Sequence, residues 1–265
     1  VYGVIADPIG HSLSPIIHNA AFRELGLNKM YVPFRVPRED LNTFLEACRE
    51  MGVSGLSVTI PHKETVIRRL THVDGAVKGI GAANTIVFDD GDANGYNTDY
   101  RAAMDCLDSA TGAQSEKHLE GTHALVLGAG GVAKAVVFGL VRRGARVTIS
   151  SRTKERADEL ARRFDCKAIE WKDRHYTEAK IVINGTPVGM HPNVDKTPFD
   201  KRHVHSSMVI FDTVYNPEST LLVKDARAVG AKVVTGVEMF VRQAAYQFKL
   251  FTGEEPPVQL MRDTL

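Results

Sequence analysis

Charge of one sign is what this chain most plainly lacks: 33 Lys and Arg stand against 32 Asp and Glu, a formal net charge of +1. That balance excludes a strongly basic nucleic-acid binder, and a hydrophobic share of 43% excludes a disordered chain. Long apolar runs are missing too, none approaching the roughly 20 residues that cross a bilayer. The opening VYGVIADPIGHS has neither the basic start nor the small-residue cleavage site of a signal peptide, so a soluble protein is expected. Cysteine is scarce: Cys48, Cys106 and Cys166 lie far apart, each in or beside helix-like sequence and with no CxxC among them, which fits a reducing cytoplasm. No internal repeat or low-complexity tract is visible. An initiator Met is absent as well; Val1 already lies in strand-like sequence, which suggests a segment processed or excised from something longer.

What is present is length and alternation. At roughly 150 residues per domain, 265 residues suggest two domains, each able to bury its own core. Short β-branched runs alternate with stretches of helical period, the pattern of α/β layers with mostly parallel strands. The expected strands are Val1–Ala6, Tyr31–Phe34, Leu56–Ile60, Ala124–Leu127, Arg146–Ile149, Ile181–Asn184, Met208–Asp212 and Lys232–Thr235. Between them, Asp40–Met51 carries Leu41, Phe44, Leu45 and Cys48 on a single helical face and is stopped by Gly52. Asn84–Asn97 breaks the alternation and reads as a β-hairpin turning at Asp90-Gly91. A polar stretch, Thr111–Gly121, separates the two halves, with the domain boundary on the helix just before it.

The most informative segment runs from Thr122 to Thr153: a strand, then Gly128-Ala129-Gly130-Gly131-Val132, a helix and a second strand. This βαβ unit carries a dinucleotide fingerprint, in which Gly128 allows the tight turn, Gly130 lets the backbone approach a pyrophosphate and the helix start offers N–H groups to it. Ala133 stands at the third glycine position, a replacement the pattern tolerates. An NAD site normally offers a carboxylate about twenty residues after the first glycine. Here the second strand ends instead in Ser150, Ser151, Arg152 and Thr153, followed by Lys154 and Arg156, which suits the 2′-phosphate of NADP. Thr153 is also placed to cap the helix Lys154–Phe164, and the two roles are compatible.

Three polar clusters stand out in the first half. In Gly10–Pro15, Ser14 reads as a helix N-cap with Pro15 at the first helical position, while Ser12 has no such structural reason. Two hydroxyls at a helix entrance after a strand suggest donors to a carboxylate or polyhydroxylated ligand. In Leu56–Lys63, another strand ends in hydroxyl groups, Pro61 opens an expected helix, and Lys63 falls in its first turn, where a cation opposes the helix dipole. A lysine placed at that cost points to function. In Gly95–Asp99, Thr98 can cap the next helix, and Asp99 reads equally as an ordinary first-turn acid or as a catalytic group. Of the ten histidines only His203 and His205 form a close pair, with no acidic partner at ligand spacing; they read as surface residues, and no metal is expected.

With GHSLSP, SVTIPHK, GAANT, GYNTD, GAGGVA with SRT, NGTPVGM, and DTVYNP followed by GVEMFVRQAA in that order, the chain resembles the shikimate dehydrogenases over essentially all 265 residues. The resemblance implies an N-terminal α/β substrate domain of mostly parallel sheet (residues 1–104, completed by helices in 239–265) and a Rossmann NADP-binding domain (105–238), facing each other across a cleft. It implies NADP-linked, reversible reduction of 3-dehydroshikimate to shikimate in aromatic amino-acid biosynthesis, with a small-molecule substrate and neither nucleic acid nor membrane as partner. Carried over by position, Lys63 and Asp99 look like the acid–base pair, Ser12 and Ser14 like carboxylate ligands, Thr59, Asn84 and Gln243 like hydroxyl-binding groups, and Tyr215 like a further substrate contact. Gly128, Ala129, Gly130, Gly131, Val132, Ser151, Arg152, Thr153, Arg156, Thr186, Gly236 and Met239 look like the cofactor contacts. Many bacterial members have Asn in place of Ser57 and Gly in place of Tyr100, and many members of the family have Gly in place of Glu238. The forms SVTIPHKE and GYNTD look more like plant-type enzymes fused to a 3-dehydroquinate dehydratase, so a bifunctional chain is expected. The rival expectations are a quinate/shikimate dehydrogenase and a non-catalytic NADP- or ligand-sensing relative.

Overall fold

The computed structural model describes residues 1–10, 12–112 and 118–265; His11 of the GHSLSP motif and residues 113–117 of the polar stretch after Thr111 lie outside the described residues. The chain forms two compact units, Val1–Thr98 with Val241–Leu265, and Asp99–Phe240.

The first unit runs β1 (Tyr2–Ala6), α1 (Ser14–Glu24), β2 (Tyr31–Arg35), α2 (Leu41–Glu50), β3 (Gly55–Val58), β4 (His72–Val73), α3 (Gly75–Ile80), β5 (Thr85–Asp89) and β6 (Asp92–Tyr96). Its sheet has the order β2-β1-β3-β5-β6-β4. β1 lies parallel to β2 and β3, and β5 pairs antiparallel with β3 and β6. The β5–β6 hairpin turns through Asp90 and Gly91 at φ 46° and 84°, the pair of positive angles that a two-residue primed turn demands and that Asp-Gly tolerates. α2 buries Leu41, Leu45 and Cys48, as its spacing requires, against a core that includes Ile5, Leu56, Val58 and Ile86.

The second unit runs α4 (Asp99–Thr111), β7 (His123–Leu127), α5 (Gly131–Arg142), β8 (Arg146–Ser150), α6 (Lys154–Phe164), β9 (Lys167–Ile169), β10 (Ile181–Asn184), β11 (Val209–Asp212), α7 (Leu221–Ala228), β12 (Lys232–Val234) and the start of α8 (Gly236–Thr252). The rest of α8, with α9 (Val258–Asp263), belongs to the first unit. All six strands are parallel, in the order β12-β11-β10-β7-β8-β9. Counted from β7, that is the 3-2-1-4-5-6 order of the doubly wound fold, with its switch point between β7 and β10. The central strands read as unbroken apolar runs because helices cover both faces of such a sheet.

Three differences from the sequence reading concern local structure. The unit division falls at Thr98/Asp99, so α4 lies whole in the second unit instead of being shared at residue 104. The strand expected over Leu56–Ile60 starts a residue earlier and ends at Val58. The edge strands β4 and β9, two and three residues long, are too short for alternation to announce. Among the described residues no helix is long and apolar enough to cross a membrane.

Candidate functional site

In the first unit the polar residues gather where β1, β3 and β5 meet their loops. The Thr59 N–H donates to the Ile5 carbonyl at 3.1 Å and the Asp7 N–H to that of Ile60 at 3.1 Å, which fixes the loop after β3 beside the loop leading to Ser12 and Ser14. The Ala83 N–H donates to the Lys63 carbonyl at 2.8 Å, and the Val58 N–H to that of Asn84 at 2.7 Å. Thr59, Lys63 and Asn84 are therefore held together by backbone, although 25 positions separate the first from the last.

Side chains complete the fixture. Asn84 Oδ1 accepts from the Thr98 N–H and from Thr85 Oγ1, both at 2.8 Å, while Asn84 Nδ2 donates to Thr98 Oγ1 at 2.8 Å. Thr98 Oγ1 in turn donates to the Gln243 carbonyl at 3.1 Å. One helical turn on, Gln247 Nε2 donates to the Asn84 carbonyl and to Thr85 Oγ1, each at 2.9 Å, and Gln247 Oε1 accepts from Ser57 Oγ at 2.8 Å. The Tyr31 hydroxyl donates to Ser57 Oγ at 2.6 Å. Burial pushes the Tyr31 phenol up, against the opposing effect of its hydrogen bonds with Ser57 and Ser14. Ser57 is thus a bridge between Tyr31 and Gln247. Tyr31 and Gln247 escaped the sequence reading; the only signal for Gln247 was its position four residues after Gln243, on the same helix face.

Two local expectations fail. Ser14 does not cap α1: it is the first helical residue, Leu13 occupies the cap position without a side-chain bond, and the Ser14 N–H points to Ser12 Oγ at 3.4 Å. Lys63 is not in a helix. Residues 60–64 form turns ahead of a 3-10 segment, Thr65–Arg69, so the helix dipole does not act on it as the sequence reading supposed. His62 beside it is buried, with Nε2 2.7 Å from the Val36 carbonyl, and burial lowers its pKa.

In the second unit the fingerprint residues lie on the β7–α5 turn at the switch point. Gly128 has φ 107°, and a Cβ there would meet the Gly185 carbonyl oxygen at 2.8 Å, so glycine is needed on both counts. A Cβ on Gly130 would meet nothing within 4 Å. Gly130 caps α5 with no side chain to satisfy the first-turn N–H groups, and Gly131 and Val132 follow it as partly exposed helical residues. Open space facing unsatisfied donors at a helix start is what a pyrophosphate requires, so these residues fit a dinucleotide. Ala129 is buried behind them. Gly185, which the sequence reading passed over, stands where a Cβ would come within 3.1 Å of the Ala133 methyl, so α5 approaches the β10 loop closely at the fingerprint's alanine.

Past β8, Arg152, Thr153 and Arg156 are exposed. Thr153 occupies the α6 cap position without making a capping bond, contrary to expectation; its N–H instead donates to Ser151 Oγ at 3.3 Å. Lys154 pairs with Asp158 one turn along the helix and is drawn out of the basic cluster. Beyond β10, Oδ1 of Asn184 accepts from the Thr186 N–H at 3.0 Å and from its hydroxyl at 2.6 Å. Tyr215 stacks on Phe240, with centroids 4.5 Å apart, and burial raises its pKa. A Cβ on Gly236 would stand 2.1 Å from the Val214 carbonyl oxygen; Met239 is buried one turn later, and Glu238 points outward and is exposed. Asp99, the first residue of α4, is buried, and Tyr100 after it packs edge-on against Phe138 at 5.3 Å. His203 stacks on His175 at 4.9 Å; among the described residues no group of three or more His, Cys, Asp or Glu could hold a metal ion.

The sheet order, the glycine turn at its switch point and the basic, acid-free end of β8 define a dinucleotide-binding α/β protein. Family patterns match three stretches: residues 4–86 that of the shikimate dehydrogenase substrate binding domain, 111–216 that of shikimate / quinate 5-dehydrogenase, and 236–265 that of the shikimate 5′-dehydrogenase C-terminal domain. The shikimate dehydrogenase (NADP(+)) of Methanothermobacter thermautotrophicus is 41% identical across the whole chain and 95% of its own length. The structure is similar to that of a shikimate dehydrogenase in complex with NADP+, at TM-score 0.93 and 37% identity over 99% of this chain and 93% of that one. It is likewise similar to shikimate 5-dehydrogenase from Thermus thermophilus in complex with NADP(H) and shikimate, at TM-score 0.89 and 34% identity over 99% and 97% of the two chains. The chain belongs to the shikimate dehydrogenase family.

Proposed function

We propose that the chain is an NADP-dependent shikimate dehydrogenase that interconverts 3-dehydroshikimate and shikimate. The observation that carries this reading is the convergence of Thr59, Lys63 and Asn84 by backbone bonds in a unit whose family pattern is that of a shikimate dehydrogenase substrate binding domain. The first unit takes the substrate. Ser12 and Ser14 hold its carboxylate, Thr59, Asn84 and Gln243 its hydroxyls, and Tyr215 is a further substrate contact. Reduction of the ketone builds negative charge on the carbonyl oxygen, and a proton held there lowers the barrier. Lys63 holds that proton, and Asp99 orients the ammonium.

The second unit takes NADP, which supplies or accepts hydride when bound. Gly128, Ala129, Gly130, Gly131 and Val132 cradle its pyrophosphate. Ser151, Arg152, Thr153 and Arg156 face the 2′-phosphate, and Thr186, Gly236 and Met239 line the nicotinamide end. Support for a dehydratase joined ahead of this segment is confined to the SVTIPHKE and GYNTD forms. The relatives at about 40% identity are matched over 91–97% of their length and bear names of a single activity.

Absorbance at 340 nm tests the reading in four assays, shikimate and quinate each with NADP and NAD. Turnover fastest with shikimate and NADP supports it. Preference for quinate moves the specificity, and binding of NADP without turnover of either acid means a sensor and overturns the reading.

A further inference from the structure

Asn184 and Asp212 end the neighbouring parallel strands β10 and β11 and are register partners across them. Both are fully buried. Asn184 Nδ2 donates to Asp212 Oδ1 at 2.9 Å and to the Val188 carbonyl at 3.1 Å, while its Oδ1 gathers the N–H and hydroxyl of Thr186. The Asn184 carbonyl accepts from the N–H and the hydroxyl of Thr213, at 3.0 and 2.8 Å. Asp212 Oδ1 accepts from the Val214 N–H at 3.0 Å, and its Oδ2 from Thr220 Oγ1 at 2.6 Å. Thr220 Oγ1 then accepts from the Val223 N–H at 3.2 Å and caps α7.

Two loops that leave the carboxyl edge of the sheet are therefore tied to one buried amide–carboxylate pair. One loop carries Thr186. The other carries Val214, whose carbonyl abuts Gly236, and Tyr215, which stacks on Phe240. A buried carboxylate is costly unless donors surround it, and a buried group left unmatched is costly again. Placing both at the ends of central strands is expensive for a sheet that apolar residues could close. The return is position: a shift of either loop must break a hydrogen bond made by a fully buried side chain.

We infer that Asn184 and Asp212 are positioning residues, which fix the Thr186 loop against the Val214–Tyr215 loop so that cofactor and substrate contacts keep one spacing. The inference rests on the roles proposed above for Thr186, Gly236 and Tyr215. Asp212→Ala removes the acceptor shared by the Asn184 amide, the Val214 N–H and the Thr220 hydroxyl, and so unties the two loops from each other. Thr220→Val removes the α7 cap and the donor to Asp212 Oδ2 but keeps the Asn184 and Val214 bonds, and Asp212→Asn keeps an oxygen for Asn184 and Val214.

The measurements are NADPH Kd by fluorescence titration, KM for shikimate, and Tm of each variant. Asp212→Ala is expected to raise the Kd and the KM about tenfold or more, a loss of the size that follows from broken hydrogen bonds to charged groups. Thr220→Val should lower Tm while leaving both constants within about twofold, and Asp212→Asn should restore them to within about threefold of the parent. If Asp212→Ala lowers Tm but leaves Kd and KM where Thr220→Val leaves them, the pair is merely structural and the inference is overturned. Should Asp212→Ala not fold, Asn184→Ala, which leaves the Val214 and Thr220 bonds to Asp212, takes its place with the same thresholds. A parent chain that binds NADPH without oxidising shikimate removes the proposed activity and leaves the Kd comparison to decide the inference. One that binds no NADPH overturns both.

Discussion

A lysine beside a ketone lowers the barrier to reduction only if its proton lies within hydrogen-bond reach of the carbonyl oxygen. Lys63 owes its place to the bond from the Ala83 N–H to its own carbonyl, which does not depend on its side chain. Lys63→Ala should therefore fold and bind NADPH as the parent does, with kcat lower by roughly 10²–10⁴-fold; near-normal turnover would remove Lys63 from the chemistry. In the second unit Lys154 is paired with Asp158, so Arg152 is expected to carry more of the proposed 2′-phosphate recognition than the sequence cluster suggests. Arg152→Ala is expected to weaken NADP by about 1.5–3 kcal/mol and NAD much less, and Arg152→Asp to move preference towards NAD. The ratio of kcat/KM for the two nucleotides measures it, and an unchanged ratio would make Arg152 a solvated helix residue. Asp212 has a different signature. Burial outweighs its three donors and pushes the carboxyl up from 3.8 to about 6. The folded state thus holds the proton more tightly than the unfolded chain. The stability this contributes is complete below pH 3.8 and is lost as pH rises through about 6. Asp212→Asn should flatten that part of the stability–pH curve by roughly 2–3 kcal/mol, as read by urea unfolding at pH 4 and pH 7.

Glycines at two helix starts make opposite predictions. A Cβ on Gly236 meets backbone at 2.1 Å, and backbone cannot rotate away, so α8 or the Val214 loop must move. Gly236→Ala should cost about 1–3 kcal/mol or more, seen as a lower Tm. A Cβ on Gly130 meets nothing, and its φ of −86° suits any residue. Gly130→Ala should leave Tm within a few degrees and raise the Kd for NADPH, because the methyl enters the open space proposed for phosphate. Elements with local causes were legible: the hairpin through Asp90-Gly91, α2 through its spacing, and the βαβ unit through glycines that have turning and close-approach duties. Elements decided by partners were not. Pro61 commonly opens a helix and so predicts one at Lys63, yet residues 60–64 answer to backbone bonds with Asp7, Thr59 and Ala83. Ser14 looked like a cap because serine usually is one. Its bond with Tyr31, seventeen residues on, has no signature in local sequence.

At the scale of the molecule, the two-unit plan was legible from the alternation of strands and helices and from the single βαβ fingerprint. The polar network of the first unit was not, because Ser57 and Gln247 are 190 positions apart and nothing in either neighbourhood names the other. That separation reflects a first unit made of two pieces, with the whole of Asp99–Phe240 inserted between them. During synthesis, at roughly 5–20 residues per second, the inserted unit has its entire sequence before the enclosing one can exist. Until Val241–Leu265 emerges, the Asn84 carbonyl and Thr85 hydroxyl have no Gln247, and the Tyr2 hydroxyl has no Phe251 carbonyl to reach at 2.6 Å. The order of the ribosome's work thus sets an order of competence: the nascent chain can acquire its nucleotide-binding unit first, and a ribosome that stops at Phe240 leaves a chain whose acid-binding unit waits, open, for an ending that never arrives.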